Sequence, residues 1–153
     1  MERRRIQAQA VIVRLAPHHT LYLIGFSMGA QTVVDILPQY HNRVKGILLG
    51  CPAMYSPRAR EIPFKNPAFT AILREDDSWK ESTNPQALAR YSGKVVVAYG
   101  AADAVIPRGV KSAYLRANKH SINIEYPGVA HNLAQWLSGR PSRLYALITQ
   151  LIA

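Results

Sequence analysis

The chain has 153 residues, 48% of them hydrophobic, with nineteen Lys and Arg against nine Asp and Glu for a formal charge of +10. That length and apolar content describe one domain, 1–153, with a real core. They do not indicate a disordered chain, and the longest apolar runs fall far short of the ~20 residues of a membrane-spanning helix. The single cysteine, Cys51, excludes an internal disulfide framework and fits a reducing, cytoplasmic setting. Basic residues are scattered through every segment without an aromatic-interleaved stripe, so the charge reads as a solvated surface and not as a nucleic-acid site.

Residues 2–16 place Ile6, Ala10 and Val13 at helical spacing, although 10–13 would also serve as a short strand. The helix is the favoured reading, ended by Pro17. Arg3, Arg4 and Arg5 do not make a targeting peptide of it, because no adequate apolar stretch or small-residue cleavage site follows. His18 and His19 have no Cys, Asp or Glu nearby and are expected to face solvent.

Leu21 to Gly29, LYLIGFSMG, is an apolar run that stops at a G-x-S-x-G pentapeptide, Gly25 to Gly29. It reads as strand, sharp turn, helix. Leu21, Leu23 and Ile24 lead in; Ala30, Val33, Val34 and Leu37 follow at helical spacing. A fold that uses a serine nucleophile holds its Oγ clear of neighbours on such a turn, and glycines two residues to either side let strand and helix pass closely. The plainer reading is a Gly-rich turn that binds a phosphate or nothing. The helix is expected to reach about Tyr40, with Asp35 on its outer side.

Val44 to Gly50, VKGILLG, is the continuous apolar strand expected in a parallel sheet covered on both faces. From about 52 to 85 the character changes. Five of the ten prolines fall here, with Met54, Tyr55, Phe64, Phe69 and Trp79 among charged residues, and a short helix is expected over Pro67 to Arg74. This insertion is either a small lid whose aromatics wall a pocket or an ordinary surface excursion. A helix near Pro85 to Tyr91 follows, then the strand Lys94 to Tyr99, a loop to Ile106, and a helix from Pro107, as the N1 residue, to about Lys119. Ser121 to Tyr126 is the last strand. Helical material follows His131 to Ala153, broken near Gly139 to Pro141. Strands separated by helices imply parallel βαβ units and an α/β class.

A serine nucleophile needs a base for its proton and a group to hold that base in one tautomer. In a parallel sheet these lie at the carboxyl ends of strands. Ser27 lies at the end of its own strand, Asp103 and His131 each follow a strand by a few residues, and all three arrive at one edge together. His41 and His120 sit near helix ends, Asp35 and Glu125 lie within regular elements, and Asp76 and Asp77 belong to the insertion.

The order Ser27, Asp103, His131, with GFSMG, YGAADAVIP and PGVAHNL around them, resembles the C-terminal part of an α/β-hydrolase. The resemblance covers nearly the whole chain and implies a partial α/β-hydrolase fold of about four parallel strands with flanking helices. Gly100, Asp103 and Pro107 match the family's G-x-x-D-x-x-x-P setting of the acid, and His131 matches its histidine loop. The resemblance implies a serine esterase or lipase-like enzyme that works through an acyl-enzyme with no metal or organic cofactor, with Met28 N–H as one oxyanion donor. Phe26, Met54, Tyr55 and Trp79 are the expected substrate contacts, and Trp136 near the histidine points to an apolar acyl or aryl group.

The departure is at the front, where only twenty residues precede Leu21. The strands that the family places there, and the loop that gives its second oxyanion donor, have no counterpart. The expectation is a truncated product, with Met1 an internal start and the strand that leads from Leu21 into the turn left as an apolar edge. The alternatives to a working hydrolase are a catalytically impaired fragment and an association module, completed by a second copy or by an N-terminal half.

Overall fold

The computed structural model describes residues 2–153, so the expectation for Met1 lies outside the described residues. Helix α1 spans Glu2–Leu15, β1 Leu21–Phe26, α2 Met28–Tyr40 and β2 Val44–Gly50. After a Pro-rich stretch come α3 Pro67–Arg74, α4 Asn84–Ala89, β3 Lys94–Gly100 and α5 Arg108–Ala117. The chain closes with β4 Ile122–Tyr126, α6 Leu133–Ser138 and α7 Pro141–Ile152. The four strands lie side by side in chain order, β1-β2-β3-β4, and every pair is parallel. Their carboxyl ends therefore share one rim, where the loops after β1, β2, β3 and β4 gather.

Side-chain alternation fixes which helices cover which face. A Cβ on Gly25 would sit 2.5 Å from the Gly29 carbonyl oxygen, so the odd-numbered residues of β1 face α2. Tyr22 and Ile24 face the other way. Gly46 pairs with Tyr22 across the sheet, and a Cβ on Gly46 would touch Leu151 of α7. Helix α7 thus covers the face opposite α2, and it packs on β2 and β3. Strand β1 is an edge whose second face stays open, with Tyr22 44% and Ile24 48% exposed.

The core is built from the central strands, where Ile47, Leu48, Leu49, Val95, Val96 and Val97 are fully enclosed. Beneath them runs a buried polar chain. Tyr114 Oη donates to the Ala53 carbonyl (2.7 Å) and accepts from Asn84 Nδ2 (2.8 Å), and Asn84 exchanges hydrogen bonds with Gln31. Gln31 Oε1 in turn accepts the Tyr55 N–H at 3.1 Å. These bonds tie α2, α4 and α5 to residues 53–55, and because every partner is satisfied they hold that backbone in one place.

Residues 52–85 form a satellite of their own. Ala59 and Phe69 are buried against Tyr55, Ile62, Ile72 and Leu73. Arg58 bridges Glu75 and Glu81, and Arg4 of α1 lies over the Phe64 ring.

Three expectations are corrected. On α1 the inward residue is Ile12, with Ala8 packed beside it, whereas Ile6 and Val13 are exposed, because α1 meets α2 along a single narrow stripe. Asp35 does not face outward. Its side chain is only 6% exposed, since the 52–85 segment covers that flank of α2 and Arg60 pairs with it at 3.0 Å. Burial raises the Asp35 carboxyl above its ordinary value, partly offset by Arg60 and by the Gln31 amide. Pro107 is the N-cap residue of α5 and not its first helical residue. Among the described residues no helix is long and apolar enough to cross a membrane.

Candidate active site

Strand β1 ends at Phe26 and the next residue, Ser27, sits at φ 51°, ψ −119° before α2 begins at Met28. A non-glycine residue in that region is strained and persists only where its surroundings hold it. Here the Ser27 N–H donates to the Gly50 carbonyl (2.8 Å), and the Ser27 carbonyl accepts the Ala53 N–H (3.2 Å). Gly25 allows the helix to double back, because a Cβ there would collide with the Gly29 and Ala30 backbone at about 2.5 Å.

The loops after β3 and β4 are pinned together by Ala101 N–H to the Tyr126 carbonyl and Ala102 N–H to the Val129 carbonyl, both 2.9 Å. That lacing sets Asp103 beside His131. His131 Nδ1 lies 3.0 Å from Asp103 Oδ2, and His131 Nε2 lies 2.9 Å from Ser27 Oγ. The other carboxylate oxygen, Oδ1, accepts the N–H groups of Val105 (2.9 Å) and Ile106 (3.2 Å). The Asp103 side chain is wholly enclosed and the imidazole partly open. An ionised carboxylate is acceptor-only, so Nδ1 carries the proton and Nε2 is left to accept one from Ser27.

Burial by itself would raise the Asp103 carboxyl, but the hydrogen bonds from His131, Ile106, Val105 and the Cys51 thiol outweigh it and hold the group below its ordinary value. Cys51 stands directly after β2 in a left-handed conformation, φ 43°. It offers its sulfur within 4.8 Å of ligand atoms of Asp103 and His131. Burial pushes the thiol up to about 11, so it remains a protonated donor. Nδ1 and Oδ2 are already committed to each other, and the trio is a hydrogen-bonded acid–base pair with a thiol at its side.

A cleft of about 190 Å³ opens at Ser27, bordered by Met54, Tyr55, Leu73, Trp79, Val105 and Val110 among others. Three of the expected substrate contacts therefore border it. Phe26 does not: its ring lies over Gly50, where a Cβ would meet it at 2.2 Å, because the residue before the turn points back across the sheet. Trp136 is also elsewhere, its ring tilted against Tyr126 at 5.1 Å between centroids and capped by Arg140. Sequence reading missed Cys51 as a neighbour of Asp103, although its place at the end of β2 on the common rim was a usable signal. It also missed Val105 and Ile106 of the loop after β3 and Val110 of α5 as walls, since nothing in an apolar residue by itself tells a wall from a core contact.

No protein family and no curated protein matches the chain by sequence. Solved structures do match its fold. A monoacylglycerol lipase of Paleococcus ferrophilus superposes with a TM-score of 0.64 at 18% identity, covering 95% of this chain and 74% of that one. A thermophilic esterase of Thermogutta terrifontis gives 0.62 at 16% identity, with 94% and 71% covered. A predicted CIB-like hydrolase of Thermoplasma acidophilum gives 0.58 at 16% identity, with 86% and 51% covered. The chain has the α/β-hydrolase fold. It is a partial version of that fold, spanning from about half to three quarters of the length of these neighbours, 51–74%.

Proposed function

We propose that the protein is a serine hydrolase that cleaves an ester-type acyl bond through an acyl-enzyme, with Ser27 as nucleophile, His131 as base and acid, and Asp103 holding His131. The observation that carries this reading is the unbroken hydrogen-bond chain from Ser27 Oγ through the imidazole to Asp103. The names of the neighbours, a lipase and an esterase, favour the same chemistry.

In this mechanism Ser27 Oγ attacks the acyl carbonyl while His131 Nε2 takes its proton, and the imidazolium is stabilised by the enclosed Asp103 carboxylate. As the first residue of α2, Met28 has an N–H with no acceptor inside the helix, and the helix N-terminus carries partial positive charge. That N–H is the proposed donor to the tetrahedral oxyanion. Each such donor contributes on the order of 3 kcal/mol, so a site with one donor runs about a hundred- to a thousandfold slower than a site with two. Collapse of the intermediate returns the proton from His131 to the leaving alkoxide. Water then enters, gives a proton to His131 and its oxygen to the acyl carbon, and the acid leaves as Ser27 is restored. The 52–85 segment serves as a lid through Met54, Tyr55 and Trp79.

A fluorophosphonate probe tests the proposal. Folded protein should be labelled at Ser27 and lose the label in Ser27→Ala and His131→Ala; folded wild-type protein that resists labelling refutes catalysis. A second reading, association instead of turnover, is favoured by Tyr22 and Ile24 standing open on edge strand β1. Light scattering after size exclusion decides it: a monomer at every concentration removes self-association.

A further inference from the structure

The cleft at Ser27 has a wall whose position is set from outside it. Trp79 lies in the single helical turn Ser78–Glu81, and its indole rests on α5 at Gly109. A Cβ at Gly109 would stand 2.5 Å from Trp79 Cζ2 and 3.2 Å from Cη2, so any side chain there forces the ring to move. Gly109 is not itself a lining residue of the cleft, whereas its neighbour Val110 is. The absence of a side chain at position 109 therefore fixes where this wall stands.

The chemistry of the cleft is as restricted as its size. Among the described residues no charged side chain borders it, and Ser27, Ser78, Tyr55 and Trp79 are the lining residues with polar side-chain atoms. A charged acyl group would lose its hydration there without a partner. The volume, about 190 Å³, compares with an apolar cavity of about 150 Å³ that takes one benzene molecule.

Resting on the serine-hydrolase reading above, we propose that the acyl group this site takes is compact and uncharged, a single ring or a short aliphatic chain. Trp79, seated on Gly109, is the residue that sets the length limit. One methylene in an apolar pocket changes kcat/KM by about 10- to 200-fold, so the limit should be sharp.

The test has a kinetic arm and a binding arm. For 4-nitrophenyl esters from acetyl to dodecanoyl, kcat/KM should peak between butanoyl and octanoyl and fall at least tenfold by dodecanoyl. Trp79→Ala should carry the peak to longer chains, and Gly109→Ala, which displaces the same ring with little change in volume, should move the peak by two carbons or more. In Ser27→Ala protein, which cannot turn over, ligand-observed NMR should show methyl benzoate binding in preference to methyl dodecanoate and to benzoate anion. The two readings fail separately. Selective binding of methyl benzoate without hydrolysis of any ester sinks the catalytic reading and supports the cleft assignment. Hydrolysis whose length profile is flat, or is unmoved in both Trp79→Ala and Gly109→Ala, overturns the cleft assignment while catalysis stands.

Discussion

Replacing Asp103 with Asn separates orientation of the base from everything else the site does. The Asn carbonyl keeps the place of Oδ1 and still accepts the Val105 and Ile106 N–H groups. At the position of Oδ2, however, an amide NH2 would face His131 Nδ1 across 3.0 Å, donor against donor. The imidazole relieves this by moving its proton to Nε2, which then points a hydrogen at Ser27 Oγ across 2.9 Å and has no lone pair to receive the serine proton. A triad forced into that tautomer loses about 10⁴ in kcat, or about 5.4 kcal/mol of transition-state stabilisation. The assay is hydrolysis of 4-nitrophenyl butyrate by protein whose folded fraction is fixed by circular dichroism, with the rate of fluorophosphonate labelling as a second readout. An Asp103→Asn protein that is folded and retains more than a tenth of wild-type kcat refutes the proposed role of the Asp103–His131 bond.

Three further outcomes are expected. Gly25→Ala should destabilise the protein by about 2 kcal/mol or more, because the new methyl meets backbone atoms at 2.5 Å that cannot swing aside; an unchanged urea midpoint would show that strand and helix are not locked at that crossing. Tyr114→Phe strips the Ala53 carbonyl and the Asn84 amide of a buried partner and should cost about 1–3 kcal/mol, with a loss below about 0.5 kcal/mol counting against the network. For pH, the depressed Asp103 carboxyl adds stability that is complete above the ordinary carboxylate value of about 3.9 and is lost as pH falls through its lower native value. The stability gap between wild type and Asp103→Asn should therefore shrink in urea melts run below about pH 4, and a gap that widens with acid would contradict the sign.

What the sequence determined by itself follows from local physics. Short continuous apolar runs such as VKGILLG and KVVVAY are of the kind buried on both faces of a parallel sheet, and the helical segments between them supply the crossovers such a sheet needs. The prolines at 67 and 141 open helices where they stand. Gly25 before Ser27 announced the tight turn, although a Cβ on Gly29, expected to be equally crowded, would meet nothing within 4 Å; the positions of Asp103 and His131 just past two strands placed them on the same rim. Those signals reside in neighbouring residues, so they survive without coordinates.

Only the tertiary structure decided which apolar side chains became walls and which became core. Phe26 and Trp136 are as apolar as Trp79, yet one lies over Gly50 and the other on Tyr126, while Trp79 reaches the cleft because α5 presents a glycine to it. The same holds for Asp35, whose polarity suggested the surface until Arg60, twenty-five residues away, was brought against it. Cys51 likewise shows nothing of its partner locally, because the contact with Asp103 joins the ends of two strands. Whether a side chain is solvent-facing, packed or set at the cleft beside Ser27 depends on residues distant in the chain, and a periodicity argument contains no information about them.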